Sequence, residues 1–301
     1  MENIKIGTIR SGKGDCIHIR FVGESGCAHN IIVDSGPAST SGKFRELIAS
    51  IKAKSEELDI LIITHYDGDH IGGILKTGDL GFKDIYFNAY NGRKQSGLLS
   101  ATQNQRLFKI LPEAKMHNSV LSGDVITLDG ATITIHSPSK EQLLPAMEEM
   151  KKADVKLSSV SDWKLSLDEL MDKPFKVTDS SIANRASIVF TFEYNSQNLL
   201  FCGDALPECI PKGEFELVKL PHHGSIKNIS EEMLSGIQTH EFLICADGSA
   251  HPDKQTVAKL LQRYGKITVM SNYPWWNYNF LVKEDSKYIQ SGKLMFKLVD
   301  M

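Results

Sequence analysis

Asp59-Ile60-Leu61-Ile62-Ile63-Thr64-His65-Tyr66-Asp67-Gly68-Asp69-His70-Ile71-Gly72-Gly73 is the stretch from which the rest of the chain is read. Its four apolar residues at 60–63 are too short a run for a helix and rich in β-branched side chains, which predicts a buried strand ending near Thr64. His65, Asp67, Asp69 and His70 then fall within six residues, and Gly68 lets the backbone bend tightly among them. If a helix starts near Asp69, alternate loop side chains point into one cavity while Asp69 and His70 approach it from the helix start. Imidazole and carboxylate suit zinc, and a carboxylate-heavy set also admits manganese, so two divalent ions sharing this loop are expected. The simpler alternative is an acidic loop in which Asp69 only caps the helix. Four ligand-type residues so close together, followed by Gly72-Gly73, favour the metal.

At 301 residues the chain has room for one large or two modest domains and a sizeable core. A net charge of −3 and a pI near 6.4 exclude a global basic field. Any nucleic-acid contact must then come from a local patch or from metals that neutralise phosphate. The cysteines, Cys16, Cys27, Cys202, Cys209 and Cys245, are odd in number and form no Cys-x-x-Cys pair, as expected of reduced thiols. The first seven residues hold no apolar signal core, and nowhere do about eighteen apolar residues run together. A soluble cytoplasmic protein without membrane contact is expected.

Outward from the opening stretch, residues 4–9 and 16–22 alternate as two antiparallel strands, with His18 on the second. Between them Ser11-Gly12-Lys13-Gly14-Asp15 reads, on local grounds, as a hairpin loop. Residues 30–33 form a strand running into Asp34-Ser35-Gly36-Pro37, and 44–54 have helical spacing. Asp34, at a strand's C-terminal end, either supports a site on that sheet edge or caps a turn. The helix begun near Asp69 should end by Thr77-Gly78. A strand follows at 84–88, a helix at 100–111 stopped by Pro112, and a hairpin of 125–128 with 132–135 about Asp129-Gly130. Residues 140–179 break the alternation and read as a helical insertion or lid, with helix formers at 141–152 and 166–171 and Trp163 as a packing anchor. Strands resume at 186–194, 198–201, 216–220, 242–245 and 267–270, with an amphipathic helix at 256–264. The aromatic cluster Tyr273-Pro274-Trp275-Trp276-Asn277-Tyr278 reads as a core edge or partner contact before it reads as a base-stacking platform.

One event recurs: a strand, then a ligand-type residue at its C-terminal end, at Asp34, His65, Asp204, His222 and His251. A fold that gathers strand ends along one edge would bring these together.

Assembled in this order, the chain resembles a metallo-β-lactamase-fold hydrolase. The resemblance implies an α/β fold, a four-layer αββα sandwich of two mixed sheets, with a dinuclear site at one edge. The family's usual His-x-His-x-Asp-His here carries Asp67 in place of the second histidine. His-x-Asp-x-Asp-His-x-Gly-Gly resembles the ComEC type, the nuclease-like domain of bacterial DNA-uptake competence proteins. Gly12-Lys13-Gly14-Asp15 resembles that type's N-terminal Gly-x-Gly-Asp turn and draws Asp15 toward the site. Val33-Asp34-Ser35-Gly36 matches the first superfamily motif, and Asn184-Arg185-Ala186-Ser187 resembles an Asn-x-x-Ser that begins a strand. Phe201-Cys202-Gly203-Asp204, Leu220-Pro221-His222-His223-Gly224-Ser225 and His251-Pro252 resemble its Gly-Asp, His-His-Gly-Ser and His-Pro motifs. The likeness spans almost everything outside 140–179, so one hydrolase domain over 1–301 with an insertion is expected. No membrane helices accompany it, so it resembles the catalytic domain standing alone. The superfamily's third-motif histidine has no counterpart; Asn184, Ser187 or, more weakly, His136 stands nearest that position.

The resemblance implies that His65 and Asp67 bind one ion, Asp69 and His70 the other, that Asp204 bridges them, and that His222 or His223 completes the set. The ions, Zn²⁺ or Mn²⁺, would share a hydroxide that attacks phosphorus in line while they neutralise the phosphodiester oxygens. Catalytic roles fall to Asp69, Asp204 and His251, with Asp69 orienting the water or receiving its proton. Asp34 would orient histidines by hydrogen bonding, and Asp15 would lie close by. Asn184, Ser187, Ser225 and His251 would contact phosphate or protonate the leaving group. The expected function is a metal-dependent phosphodiesterase or nuclease acting on DNA or RNA. A small-molecule phosphodiesterase or esterase is the alternative, since a similar His-His-Gly loop occurs in phosphocholine-ester hydrolases of the superfamily. A metal-binding subunit that needs a protein partner, docked through Trp275-Trp276, is another; a homo-oligomer is also admitted.

Overall fold

Burial alternates along residues 60–63: Ile60 and Ile62 enter one apolar layer, Leu61 and Ile63 another. A strand buried on both faces needs a layer on each side, and this pattern builds the architecture. The computed structural model describes residues 4–88, 106–107, 109–143, 162–176, 179 and 181–299.

One mixed sheet runs in the order β1 (Ile4–Thr8), β2 (Ile17–Val22), β3 (Ala28–Val33), β4 (Ile60–Ile62), β5 (Asp84–Tyr86), β6 (Met116–His117). Its first three strands pair antiparallel and the rest parallel. The second sheet follows the order β16 (Leu294–Leu298), β15 (Ile267–Ser271), β14 (Glu241–Ile244), β12 (Leu217–Lys219), β10 (Gln197–Phe201), β9 (Val189–Tyr194), β8 (Ala131–Ser137), β7 (Val125–Leu128). It is antiparallel from β7 to β10 and parallel from β10 to β16. A two-stranded piece pairs β11 (Gly213–Glu214) with β13 (Ile237–Gln238).

Between the sheets Ile19, Phe21, Ile31 and Ile62 meet Ile133, Phe190, Phe192 and Phe201. Outside the first sheet, helices α1 (Ser41–Lys52) and α2 (Gly68–Thr77) cover Ile32, Leu61 and Ile85 with Phe44, Ile48, Ile71 and Ile74. Outside the second, α3 (Leu167–Met171), α5 (Glu231–Gly236) and α6 (Lys254–Tyr264) contribute Leu167, Leu170, Leu234, Val257 and Leu261 against Leu200, Val218 and Phe242. The remaining short helices are α4 (Ile182–Arg185) and α7 (Ser286–Gln290). The result is the expected αββα order of two mixed sheets flanked by helices. Burying each Ile, Leu or Phe in these layers is worth roughly 1.5–3 kcal/mol.

Boundaries move where tertiary partners intervene. α2 begins at Gly68, one residue before the expected start, because the Ser35 hydroxyl accepts from Ile74 N–H (3.0 Å) and donates to the His70 carbonyl (2.8 Å), docking the helix on the loop after β3. β5 stops at Tyr86, short of residue 88, and the Asn88 amide instead closes both polar groups of Val120 at 2.8 Å. The helix expected at 100–111 is helical where described, at 106–107 and 109–110, and residues 100–105 lie outside the described residues. Most of the helix expected at 141–152 also lies outside them. The expected 166–171 helix forms as α3, with a reciprocal capping box between Ser166 and Glu169. Trp163 packs edge-on to Phe280 at 5.2 Å, and its indole N–H donates to the Pro252 carbonyl (3.1 Å). In the tail Trp275 is fully buried and Trp276 stacks on Phe296, which makes this cluster a core edge. No helix among the described residues is long and apolar enough to cross a membrane.

Candidate metal centre

The C-terminal ends of β3, β4, β10, β12 and β14 open onto one edge between the sheets, and each supplies a polar loop there. After β3, Asp34 takes a left-handed φ of 59°, uncommon away from glycine. Its Oδ1 accepts from Thr64 N–H (2.8 Å); its Oδ2 accepts from the Thr64 hydroxyl and lies beside His70 Nδ1, both at 2.7 Å. After β12, His222 and His223 are both left-handed, at φ 46° and 54°, a strain on the order of 1–3 kcal/mol per residue that surrounding contacts must hold.

Four imidazoles present Nε2 to a single atom. His70, His223, His65 and His222 Nε2 lie 3.4, 3.6, 3.8 and 3.8 Å from Asp204 Oδ2. The opposite ring nitrogens are all engaged. His65 Nδ1 meets the Thr64 hydroxyl (3.0 Å), and His223 Nδ1 meets Asp15 Oδ1 (3.1 Å) and the Cys245 carbonyl (3.0 Å). His222 Nδ1 meets Asn228 Oδ1 (3.0 Å), with Asp179 Oδ2 at 3.3 Å. Where the partners are acceptors Nδ1 must donate, which turns the Nε2 lone pair toward Asp204. Lone pairs facing a carboxylate repel it unless a cation lies between them. Consistently, the buried Nε2 atoms of His65, His70 and His223 and Oδ1 of Asp204 have no hydrogen-bond partner among the described residues. Each such orphan costs about 1–3 kcal/mol, so the donor set fits divalent metal. Asp67 Oδ2 stands 3.6 Å from His65 Nε2 and Asp69 Oδ2 3.5 Å from His223 Nε2. Asp15, His70, Asp204 and His223 offer ligand atoms all within 4.8 Å of one another.

The electrostatics carry the same demand. Burial pushes Asp204 upward, but the charges of His223, His70 and His222 outweigh it and hold the carboxyl well below its ordinary range. Burial pushes His223 downward, yet Asp204 and Asp15 raise it to about 10. Protons on imidazole and metal ions answer one need, positive charge beside Asp204.

Three participants escape the sequence reading. Lys219, 1 % exposed, ion-pairs with Asp15, donates to the Gly203 carbonyl (2.9 Å) and comes within 4.0 Å of Asp204 Oδ1. Against the upward push of burial, the charges of Lys219 and His223 hold Asp15 at about 2. A lysine inside the otherwise apolar residues 217–220 was the available signal, since lysine is buried almost only when paired. Asp179 accepts from the Asn184 amide (2.6 Å) as well as facing His222, and Asn228 ties His222 to the Asp204 and Ala205 carbonyls at 3.2 Å each.

The remaining expected residues sort by position. Asn184 donates to Asp179 Oδ2 (2.6 Å), the carboxylate oxygen that faces His222 Nδ1, so it supports the imidazole through that carboxylate. Ser187 Oγ accepts from the Asp204 N–H (3.3 Å), and Ser225 Oγ accepts from the Lys227 N–H (3.4 Å); both hydroxyls serve local backbone. His251 brings its ring 5.2 Å from that of His222 and 6.3 Å from that of His223. Burial and the charges of those two neighbours push it down to about 3, so it stands neutral. His136 bonds the Thr191 hydroxyl on β9 (3.0 Å).

The family model described as the Metallo-beta-lactamase superfamily matches residues 19–235. The chain belongs to the metallo-beta-lactamase superfamily. The matched span includes every residue of the cluster except Asp15 and His251, which flank it. As members of this superfamily are metal-dependent hydrolases, the chain is read as one. ComE operon protein 3 of Bacillus subtilis (strain 168) is 24% identical over 291 residues, an alignment covering 86% of this chain and 31% of that protein. The chain therefore spans about a third of its length. Among solved structures, the metallo-beta-lactamase fold protein YhfI from Bacillus subtilis aligns over 99% of this chain and 98% of its own, with 12% identity and a TM-score of 0.49. Zn²⁺-bound PqqB from Methylobacterium extorquens aligns over 99% and 98%, with 8% identity and a TM-score of 0.45.

Proposed function

We propose that this chain is a metal-dependent phosphodiesterase acting on DNA or RNA. The observation that carries it is the convergence of four Nε2 atoms on Asp204 Oδ2, each backed by a partner at Nδ1. His65 and Asp67 form one donor group; Asp69, His70 and His223 form the other, with Asp204 shared between them. His222 is the imidazole left for the first group, where the superfamily's third-motif histidine is missing. Two bound divalent cations would supply Lewis acidity to activate water and to neutralise a phosphodiester's oxygens.

The chain's own groups do the rest. Asp34, Asp15 and Asn228 hold the rings so that Nε2 faces inward. Asp69 would orient the attacking water or take its proton. His251, neutral at the rim, would hydrogen-bond the leaving oxygen through its ring N–H. The His-x-Asp-x-Asp-His-x-Gly-Gly resemblance and the similarity to ComE operon protein 3 support a phosphodiester over other hydrolysable bonds.

Purified protein with manganese or zinc, offered single-stranded DNA, duplex DNA, RNA and a chromogenic phosphodiester, tests the proposal, with elemental analysis of the same sample. Metal-dependent cleavage of a polynucleotide is expected. Cleavage of the small diester alone would overturn the nucleic-acid reading, and inertness of metal-loaded protein toward all four would overturn the phosphodiesterase.

A further inference from the structure

A large cavity lies away from the imidazole cluster. It is a groove of about 860 Å³ between the outer face of β1 and β2 and helix α1, and five cations, Lys5, Arg10, Arg20, Lys43 and Lys54, line it against one carboxylate, Glu46. The whole chain carries −3, so this is a local reversal of sign. Arg20 is engaged by Glu56 (2.6 Å), and Lys43 Nζ donates to the neutral backbone carbonyl of Arg10 (3.0 Å). Lys5 faces Arg20 across the strand pair, so it adds a second positive charge beside the Arg20–Glu56 pair. Two positions along the ladder Gly7 pairs with His18, and the missing side chain keeps the floor open.

The backbone runs from the groove to the site. From Lys5 to Arg10 the extended chain covers roughly 16 Å, and the next residues run through Ser11–Asp15 to the carboxylate that supports His223. Gly14 in that loop lies so close to Asp69 that a Cβ would overlap its carbonyl oxygen.

We propose that this groove holds the sugar-phosphate backbone of a nucleic-acid strand whose neighbouring phosphodiester reaches the imidazole cluster; the proposal rests on the phosphodiesterase reading and names its substrate as a polynucleotide. A concave cationic channel matches an extended polyanion, whereas a lipid surface would ask for a flat or convex face. Phosphates every few ångströms along the strand would meet successive cations, the sequence-independent contact that anchors such ligands.

Fluorescence anisotropy of end-labelled DNA and RNA strands of about twenty nucleotides, in chelator so that nothing is cut, tests the groove. The Lys5→Gln/Lys54→Gln double variant, in which both changes are exposed and away from the cluster, is expected to bind about tenfold more weakly at low salt. Its plot of log affinity against log salt should flatten by about 1.4, two contacts at about 0.7 each. Its hydrolysis of bis(p-nitrophenyl) phosphate with manganese should equal that of the unaltered protein. Binding of either strand supports the groove, and their ratio names the sugar. Unchanged affinity and slope in the variant would overturn it, as would capture by phosphatidylserine vesicles without capture of either strand. If the unaltered protein binds strands through these lysines yet, loaded with manganese, cleaves neither a strand nor the small diester, the groove stands and the phosphodiesterase falls.

Discussion

Asp204 shows how much one side chain can be asked to hold. Its Oδ2 faces four imidazoles and its Oδ1 is buried without a hydrogen bond, so its charge is meaningful only with cations beside it. Asp204→Asn should lose bound metal by elemental analysis and hydrolysis by at least about a hundredfold, with an unchanged far-UV circular dichroism spectrum. Asp34 acts one bond further out. Asp34→Asn weakens its hold on His70 Nδ1, and titration with a fluorescent zinc competitor should show metal affinity reduced about 10–100-fold. His18 belongs to a different account. Burial pushes its imidazole down, Lys54 and Arg20 add to that against the Asn30 hydrogen bond, and the folded state keeps it neutral. An unfolded chain protonates it below about pH 6.5, so the folded state loses stability as pH falls through that value toward the lowered native pKa. His18→Gln, measured by urea unfolding in chelator at pH 7 and pH 5, should show a smaller loss on acidification.

At the scale of elements, the glycines of the opening stretch explain how α2 reaches the site. A Cβ on Gly72 would overlap Ala38 N, and one on Gly73 would overlap the Ser35 carbonyl. The helix therefore rides directly on the loop after β3, which sets His70 against Asp34. Gly73→Ala should destabilise the fold by about 1–3 kcal/mol through overpacking, read as a lower urea midpoint with an unchanged slope. The sequence showed the pair beside the ligands but not the loop it touches, since that loop lies more than thirty residues upstream. The same limit explains Lys219: a lone charge in an apolar strand was visible, while its partner Asp15 arrives from the other end of the chain.

Across the whole molecule, the cluster couples metal to protons. The cited shifts place protons on His70 and His223 beside Asp204 and Asp15, so bound metal must displace them. Metal affinity should rise from pH 6 to pH 8, and calorimetry in two buffers of different ionisation enthalpy should record proton release. Metal at about a hundred times its Kd should add about 2.7 kcal/mol of stability over chelated protein, seen as a higher melting temperature.

The sequence by itself determined most strands, through alternation and short apolar runs, and marked the residue types at their ends, because those signals are local; β6, β11, β13 and β16 became strands only through their neighbours. It pointed to His65, Asp69, His70, Asp204 and the His222-His223 pair through spacing and resemblance. Only the tertiary structure decided which strand lies beside which, that both histidines of the pair face Asp204, and that Lys219, Asp179 and Asn228 stand behind them. It also gathered five scattered cations into one groove on a chain whose total charge is negative. The reason is physical: period and residue type are properties of neighbours along the chain, whereas orientation, burial and charge balance arise only when distant segments share the same few ångströms.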